Sequence, residues 1–129
     1  MNIIGYKVRD GINVSGTAID TTVRPNTFIS NGGMPVNLQP TGEPDSQVTP
    51  NDNLDGDTGP NNLQNFPIAT VQVTSATTAN VTLTLNSIAN QSFTLDLYKM
   101  SATSLGTISY VTNVSAVPTN PSGNGSCTI

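Results

Sequence analysis

The stretch NVTLTLNSIANQSFTLDLYK, residues Asn80–Lys99, contains two runs in which apolar and polar residues alternate strictly. A period of two residues is typical of a β-strand that buries one face, because successive side chains point to opposite sides. The link Ser87–Asn90 between the runs is short, which predicts that they form an antiparallel hairpin. The face that we expect to be buried holds Val81, Leu83, Leu85, Phe93, Leu95 and Leu97.

Further strands flank this pair. Ile68–Thr74 reads IATVQVT before it, and Leu105–Val114 and Gly125–Ile129 follow it. Five strands with one buried face each predict an antiparallel, immunoglobulin-like β-sandwich, which is incomplete because such sandwiches have about seven strands. Cys127, the single cysteine, is expected to be a small buried hydrophobic residue in the last strand.

The first part of the chain, residues 1–48, predicts short strands that are broken by glycine and asparagine. Asp10–Gly16 (DGINVSG) and Gly32–Leu38 (GGMPVNL) align at a spacing of 22 residues, which is typical of one rung of a parallel β-solenoid. The sequence thus predicts an all-β chain in three parts: β-solenoid-like strands at 1–48, an acidic Asn/Asp/Gly linker at 49–67, and the sandwich at 68–129.

Composition restricts the function. Charged residues make up 9% of the chain and the formal net charge is −4, so the clustered cations that bind nucleic acid are missing. No segment approaches the roughly 20 apolar residues of a membrane-spanning helix, and the beginning of the chain does not have the pattern of a signal peptide. We therefore expect no nucleic acid partner and no membrane insertion, and a location on a virion surface or an extracellular or cell surface.

The linker TPNDNLDGDTGPNNLQNFP, Thr49–Pro67, is a candidate calcium loop. It follows the calcium-loop pattern loosely, since an asparagine replaces the first aspartate and Asn62 stands in the place of the final glutamate. The alternative is a series of Asx-turns leading into the sandwich, with Leu63 and Phe66 packed at the joint. The residues predicted to hold Ca²⁺ are Asn51, Asn53, Asp55 and Asp57. The acids that cluster around them are Glu43, Asp45, Asp52, Asp55 and Asp57.

Enzymatic activity has little support. The chain has no histidine, which excludes Ser-His and Cys-His pairs and the ordinary zinc sites. Cys127 has no cation near it in the sequence, and the clustered acids lack the aromatic residues that would form a platform for a sugar. We therefore expect no catalytic residue, and no cofactor other than the candidate Ca²⁺.

Three segments together resemble a known family: Phe28–Leu38 (FISNGGMPVNL), Gly56–Pro67 (GDTGPNNLQNFP) and Val81–Lys99. They are similar to the C-terminal part of bacterial right-handed parallel β-helix surface proteins, which comprises the last rung, an Asn-Asp-Gly linker and an immunoglobulin-like sandwich. The resemblance implies this fold and a surface location. The chain departs from the family in having at most two rungs and two strands fewer in the sandwich. Cys127 stands where the family more usually has an aromatic residue.

These patterns favour a non-enzymatic structural or surface-interaction protein, most of all a virion surface component such as a capsid decoration or fibre subunit. A fragment of a bacterial cell-surface β-helix adhesin is the alternative, and a polysaccharide-active enzyme is disfavoured. Gly125–Ile129 has neither charge nor proline to block strand addition, so we expect a homo-oligomer or neighbouring structural subunits joined through open strand edges. A host-surface glycan or protein is a further candidate partner.

Overall fold

The computed structural model describes residues 1–44, 47–101 and 106–129, and within these ranges the chain is all-β, as predicted. Its strands form sheets in the orders β1-β3-β8-β7, β2-β4 and β5-β6-β9. None of the described residues forms a helix with the length and apolar composition needed to cross a membrane. The strands are β1 Asn2–Gly5, β2 Ile12–Ser15, β3 Asn26–Ile29, β4 Val36–Gln39, β5 Ile68–Val73, β6 Ala79–Asn86, β7 Ser92–Met100, β8 Ile108–Pro118 and β9 Asn124–Thr128.

Two compact units make up the chain, and both are discontinuous in sequence. The first unit comprises Met1–Thr49, Asp57–Leu63 and Asp96–Thr112. The second unit comprises Pro50–Gly56, Gln64–Leu95 and Asn113–Ile129. The boundaries at residues 48 and 67, which the sequence suggests for three consecutive domains, stay a prediction.

Parallel strand pairs in the first unit have a constant offset. β1 pairs with β3 and β2 pairs with β4, and in both pairs partner residues are 24 positions apart, as in Ile12↔Val36. The predicted spacing of 22 is therefore wrong. The glycines that suggested it are not equivalent, since the Gly11 N–H donates to the carbonyl of Met34 and the Gly33 N–H to that of Arg9.

The interior of the first unit mixes apolar and polar side chains. Val14, Phe28 and Leu63 are buried there, and so are Asp10 and Asn37. The Asp10 carboxylate accepts hydrogen bonds from the Met34 N–H at 2.7 Å and from Asn37 Nδ2 at 2.9 Å. A buried carboxylate is tolerated because donors of this kind replace its lost hydration.

The second unit contains the antiparallel sheet β5-β6-β9 and an apolar core. Leu83, Leu85, Leu95 and Val117 are at most 4% exposed, while Thr84 lies between two of them on the exposed face. The predicted register of β6 is therefore confirmed. Of the other positions predicted to be buried, Phe93 and Leu97 are half-buried in β7. The five strands β5–β9 are divided between two sheets, so the sandwich-like character of this region is confirmed.

The predicted hairpin of β6 with β7 is wrong. β6 pairs with β5 on one side and with β9 on the other, and β7 belongs to the sheet of β8. The link is held at Ser87, which is fully buried and whose N–H donates to the Gly123 carbonyl at 2.9 Å. Gly123 has a φ of 76°, and a Cβ there would lie 2.2 Å from the Ser87 oxygen, so this approach requires glycine.

The last two strands differ from prediction mainly at their ends. The strand predicted at Leu105–Val114 is β8, Ile108–Pro118, and Leu105 lies outside the described residues. The strand predicted at Gly125–Ile129 is β9, in which Cys127 is half-buried and lies opposite Leu83. Pairing over long distances in sequence sets these ends, and composition gives no direct measure of it.

Replacement of Leu95 by alanine should destabilise the protein by about 2–5 kcal/mol, because it leaves a cavity in the core of the second unit. Urea unfolding followed by circular dichroism measures this free energy. Thr94→Ala is the matched control, since Thr94 is the exposed neighbour on the same strand. Equal unfolding midpoints for the two variants would contradict the assignment of Leu95 to the core.

Candidate functional site

Side-chain amides hold the acidic segment of the second unit. Asn65, which is 4% exposed, accepts a hydrogen bond from the Asp52 N–H at 3.0 Å and donates to the Asp52 carbonyl at 2.7 Å. Asn51 does the same to Phe66, at 2.9 and 2.8 Å. We call such a reciprocal pair of hydrogen bonds, from one asparagine side chain to one backbone residue, an amide clamp. It satisfies a backbone donor and acceptor where no strand is present to do so.

The carboxylates of this segment are themselves hydrogen-bonded. Asp52 accepts from the Gly56 N–H at 3.0 Å, which closes an Asx-turn. Asp55 accepts from the Asn65 N–H through one oxygen and from the Ser87 hydroxyl through the other, both at 2.7 Å. Protein donors therefore already engage the carboxylates, and this arrangement supports the Asx-turn alternative for the segment.

The residues predicted to hold Ca²⁺ have different environments. Asn51 uses both atoms of its amide on Phe66, Asn53 is exposed, and Asp55 is engaged as above. These three lie in the second unit, whereas Asp57 belongs to the first unit and is half-buried. The calcium set stays a prediction.

The remaining acids of the predicted cluster contribute little to a site. The Glu43 carboxylate in the first unit accepts from the Thr49 hydroxyl at 3.3 Å. Asp45 lies outside the described residues. The side-chain oxygens of Asp52 face the Gly56 N–H within the turn.

The segment Gly59–Pro67 is explained by amides more than by packing. Leu63 is 8% exposed, as predicted, but the ring of Phe66 is 44% exposed, so its predicted packing role is wrong. In the first unit, Asn61 forms a further amide clamp, accepting from the Thr21 N–H at 2.9 Å and donating to the Thr21 carbonyl at 2.8 Å. Asn61 has a φ of 48°, a left-handed conformation that asparagine adopts more readily than most residues.

Asn86, at the end of β6, extends the network of the second unit. Its backbone carbonyl accepts from Asn65 Nδ2 at 2.8 Å, and its Oδ1 accepts from the Leu54 N–H at 2.8 Å. Its Nδ2 donates to Asn124 Oδ1, also at 2.8 Å. The sequence analysis did not find these asparagines. The pair Asn120-Pro121 was a visible turn signal, but its long-range partners leave no local pattern.

An apolar hollow of about 310 Å³ lies in the first unit, beside Phe28 and Tyr98. The ring centroids of Tyr98 and Tyr110 are 5.7 Å apart in an edge-to-face arrangement. Burial raises the pKa of Tyr98 above its ordinary value, so the phenol stays neutral at physiological pH. At the border of the hollow, Asp96 forms a bidentate ion pair with Arg24, at 2.5 and 2.6 Å, and the hydrogen bond to Asp96 raises the pKa of Arg24.

Comparison of the chain with known protein families, curated proteins and solved structures finds no match. The function is therefore argued from the contacts and exposed surfaces of the described residues.

Replacing Asn65 by alanine should cost about 2–5 kcal/mol, because the N–H and carbonyl of Asp52 and the carbonyl of Asn86 all lose a partner. Gln64→Ala is the control, since Gln64 is the exposed neighbour. Chemical denaturation of both variants measures the difference. A loss below about 0.5 kcal/mol for the Asn65 variant would mean that water replaces the clamp at no cost.

Chelation of calcium should leave the melting temperature unchanged, because N–H and O–H donors already engage the carboxylates of Asp52 and Asp55. Differential scanning calorimetry in EDTA and in excess Ca²⁺ tests this. A fall of several degrees in EDTA would instead indicate a bound native-state ion. Asp57→Asn would then identify the site, since this variant should lose the calcium-dependent part of the shift.

Proposed function

We propose that this chain is a non-enzymatic structural protein of a virion surface, a capsid decoration or fibre subunit, that assembles with its own copies through strand β5. The observation that carries the proposal is the exposure of β5, since every residue of Ile68–Val73 is exposed. Val71 and Val73 are 62% and 74% exposed. Adjacent exposed valines on a regular strand are typical of a surface that a partner covers.

The backbone of β5 supports the same interpretation. Within the described chain, β5 forms a ladder on one side only, with β6. Ile68–Val73 contains neither a charged residue nor a proline, and these are the usual features that prevent strand addition at a sheet edge. A neighbouring strand would satisfy the hydrogen-bonding groups on the open side of β5.

The apolar face of the sheet is covered at one end and open at the other. Ala69 lies opposite Leu83 and Val71 opposite Val81, so these side chains share one face. Leu83 is 3% exposed, whereas Val71 is 62% exposed. Full burial of one exposed valine contributes about 1.5 kcal/mol, so covering β5 in many copies stabilises an assembly.

A second copy of the chain is the partner that the sequence of β5 fits. In an antiparallel pair centred on Val71, that residue lies opposite its own copy, Ala69 opposite Val73, and Thr70 opposite Gln72. Apolar residues then meet apolar residues on one face, and polar residues meet on the other. Cross-strand pairs of this kind stabilise a sheet, and no like charges oppose each other.

A second candidate function is that of a fragment of a cell-surface β-helix adhesin. Its support is the offset of 24 residues shared by both parallel strand pairs, since stacked rungs have a constant repeat. Fractionation of the source culture distinguishes the two functions, because a virion component sediments with particles and an adhesin with the cell envelope. The engaged state of Asp55 and Asp96 supports a non-enzymatic role for both candidates.

Val71→Lys should abolish self-association, because it places two ammonium groups opposite each other in the pair of β5 strands. Thr70→Lys adds the same charge to the same strand but on the other face, opposite Gln72, and should leave assembly intact. Sedimentation velocity over a range of micromolar concentrations measures both, with circular dichroism to verify folding. The proposal is wrong if the unmodified chain is monomeric throughout, or if the two variants assemble equally well.

A further inference from the structure

A neutral cleft of about 510 Å³ lies in the second unit, where the beginning of β5, the end of β6 and the beginning of β9 meet. Its side chains are amides, hydroxyls and aliphatic groups, and no charged residue lines it. The residues that matter here are Ile68, Thr84, Asn86, Asn120, Asn124 and Ser126. The volume falls within the usual range for small-ligand sites, about 300–1,000 Å³.

The amides of this cleft have their acceptors occupied and their donors available. Asn120 Oδ1 accepts from the N–H groups of Ser122 and Asn124, at 2.9 and 3.0 Å. Asn124 Oδ1 accepts from Asn86 Nδ2 at 2.8 Å. Among the described residues, neither the Nδ2 of Asn120 nor that of Asn124 has an acceptor. The cleft therefore presents two amide NH₂ groups to a ligand.

The orientation of these amides follows from backbone groups, whose hydrogen-bonding roles cannot be exchanged. Asn86 Oδ1 accepts from the Leu54 N–H, and its Nδ2 donates to the Ser122 carbonyl at 3.0 Å. A reversed Asn86 would place donor against donor and acceptor against acceptor. With Asn86 fixed, Asn124 must direct its oxygen to Asn86 and its NH₂ group away from it. The donors are thus oriented before a ligand arrives.

A row of three side chains on one face of the sheet completes the cleft. Ile68 lies opposite Thr84, and Thr84 lies opposite Ser126. Ile68 is 56% exposed and offers an aliphatic surface. The Ser126 hydroxyl, which has no partner among the described residues, can both donate and accept a hydrogen bond.

We propose that this cleft binds a neutral saccharide of about one to three sugar units. The NH₂ groups of Asn120 and Asn124 donate to oxygens of the sugar, and the hydroxyls of Ser126 and Thr84 exchange hydrogen bonds with its hydroxyls. Ile68 packs against the C–H groups of the ring. This binding activity goes beyond the proposed assembly through β5 and does not depend on it.

Other ligand classes fit the lining less well. An anion needs a compensating cation, but no charged residue lines the cleft and the formal net charge of the chain is −4. An extended peptide needs acceptors for its N–H groups, yet the oxygens of Asn120 and Asn124 are already occupied. A sugar hydroxyl both accepts and donates, so it suits a lining of amide donors and hydroxyls.

The test uses the full chain carrying Val71→Lys, so that loss of binding and loss of assembly are observed separately. Glucose, galactose, mannose, N-acetylglucosamine and their di- and trisaccharides are titrated to millimolar concentration against the ¹⁵N-labelled protein. The side-chain NH₂ signals of Asn120 and Asn124 report on the cleft directly. We expect saturable shifts of both signals with at least one of these neutral saccharides.

Asn124→Asp should weaken the binding at least about tenfold, because it keeps the acceptor for Asn86 but replaces the NH₂ donor with an oxygen. Ser126→Ala is a second variant of the cleft, with a similar expected loss, and decides the question if Asn124→Asp does not fold. Thr70→Ala is its matched control, an exposed hydroxyl on the same face outside the cleft, and should bind as the parent does.

Three results would overturn the proposal. The first is the absence of saturable shifts with every saccharide of the panel. The second is equal affinity of the parent and the cleft variants. The third is saturation by sodium sulfate or by a Gly-Ser-Gly peptide in place of a neutral sugar.

Discussion

The amide clamp is the interaction on which this structure most depends. Asn51, Asn61 and Asn65 each bind the N–H and the carbonyl of a single residue at least 13 positions away in the sequence. An amide carries its donor and acceptor side by side, so it reproduces one step of a β-ladder without a strand. The acidic segment lies between β4 and β5, where no sheet satisfies its backbone. Without the clamps, buried polar groups would each cost about 1–3 kcal/mol.

Polar satisfaction matters here because the apolar core is small. Among the described residues, seven buried hydrophobic side chains are accompanied by six buried polar or charged ones. Asn65 and Ser87 are as inaccessible as the leucines around them, at 4% and 0% exposure. The polar members stabilise the fold only while all their partners are in place. A chain with so many asparagines and threonines therefore folds through specific hydrogen bonds as much as through burial.

Local pattern predicted the strands well and their partners poorly. The period of two residues identified the buried leucines of β6, because alternation is a property of one strand alone. The hairpin with β7 failed because β9 occupies that edge of β6, and a link of four residues does not reveal a competing strand 25 or more residues further on. The amide network was equally hidden, since asparagine is a turn residue everywhere and only the folded chain selects Asn65 and Asn86 as its centre.

The two proposed surfaces lie on opposite faces of one strand, so both depend on a single register. Val71 belongs to the apolar face and Ile68 to the polar face, and a slip of one residue would exchange them. The turn between β5 and β6 fixes this register: Ser75 Oγ accepts from the N–H groups of Thr77 and Thr78, at 3.2 and 3.1 Å. The hydroxyls of Thr74 and Thr78 close it with a 2.8 Å hydrogen bond. A turn built from hydroxyls, in a strand pair with few buried contacts, thus determines which side chains each face presents.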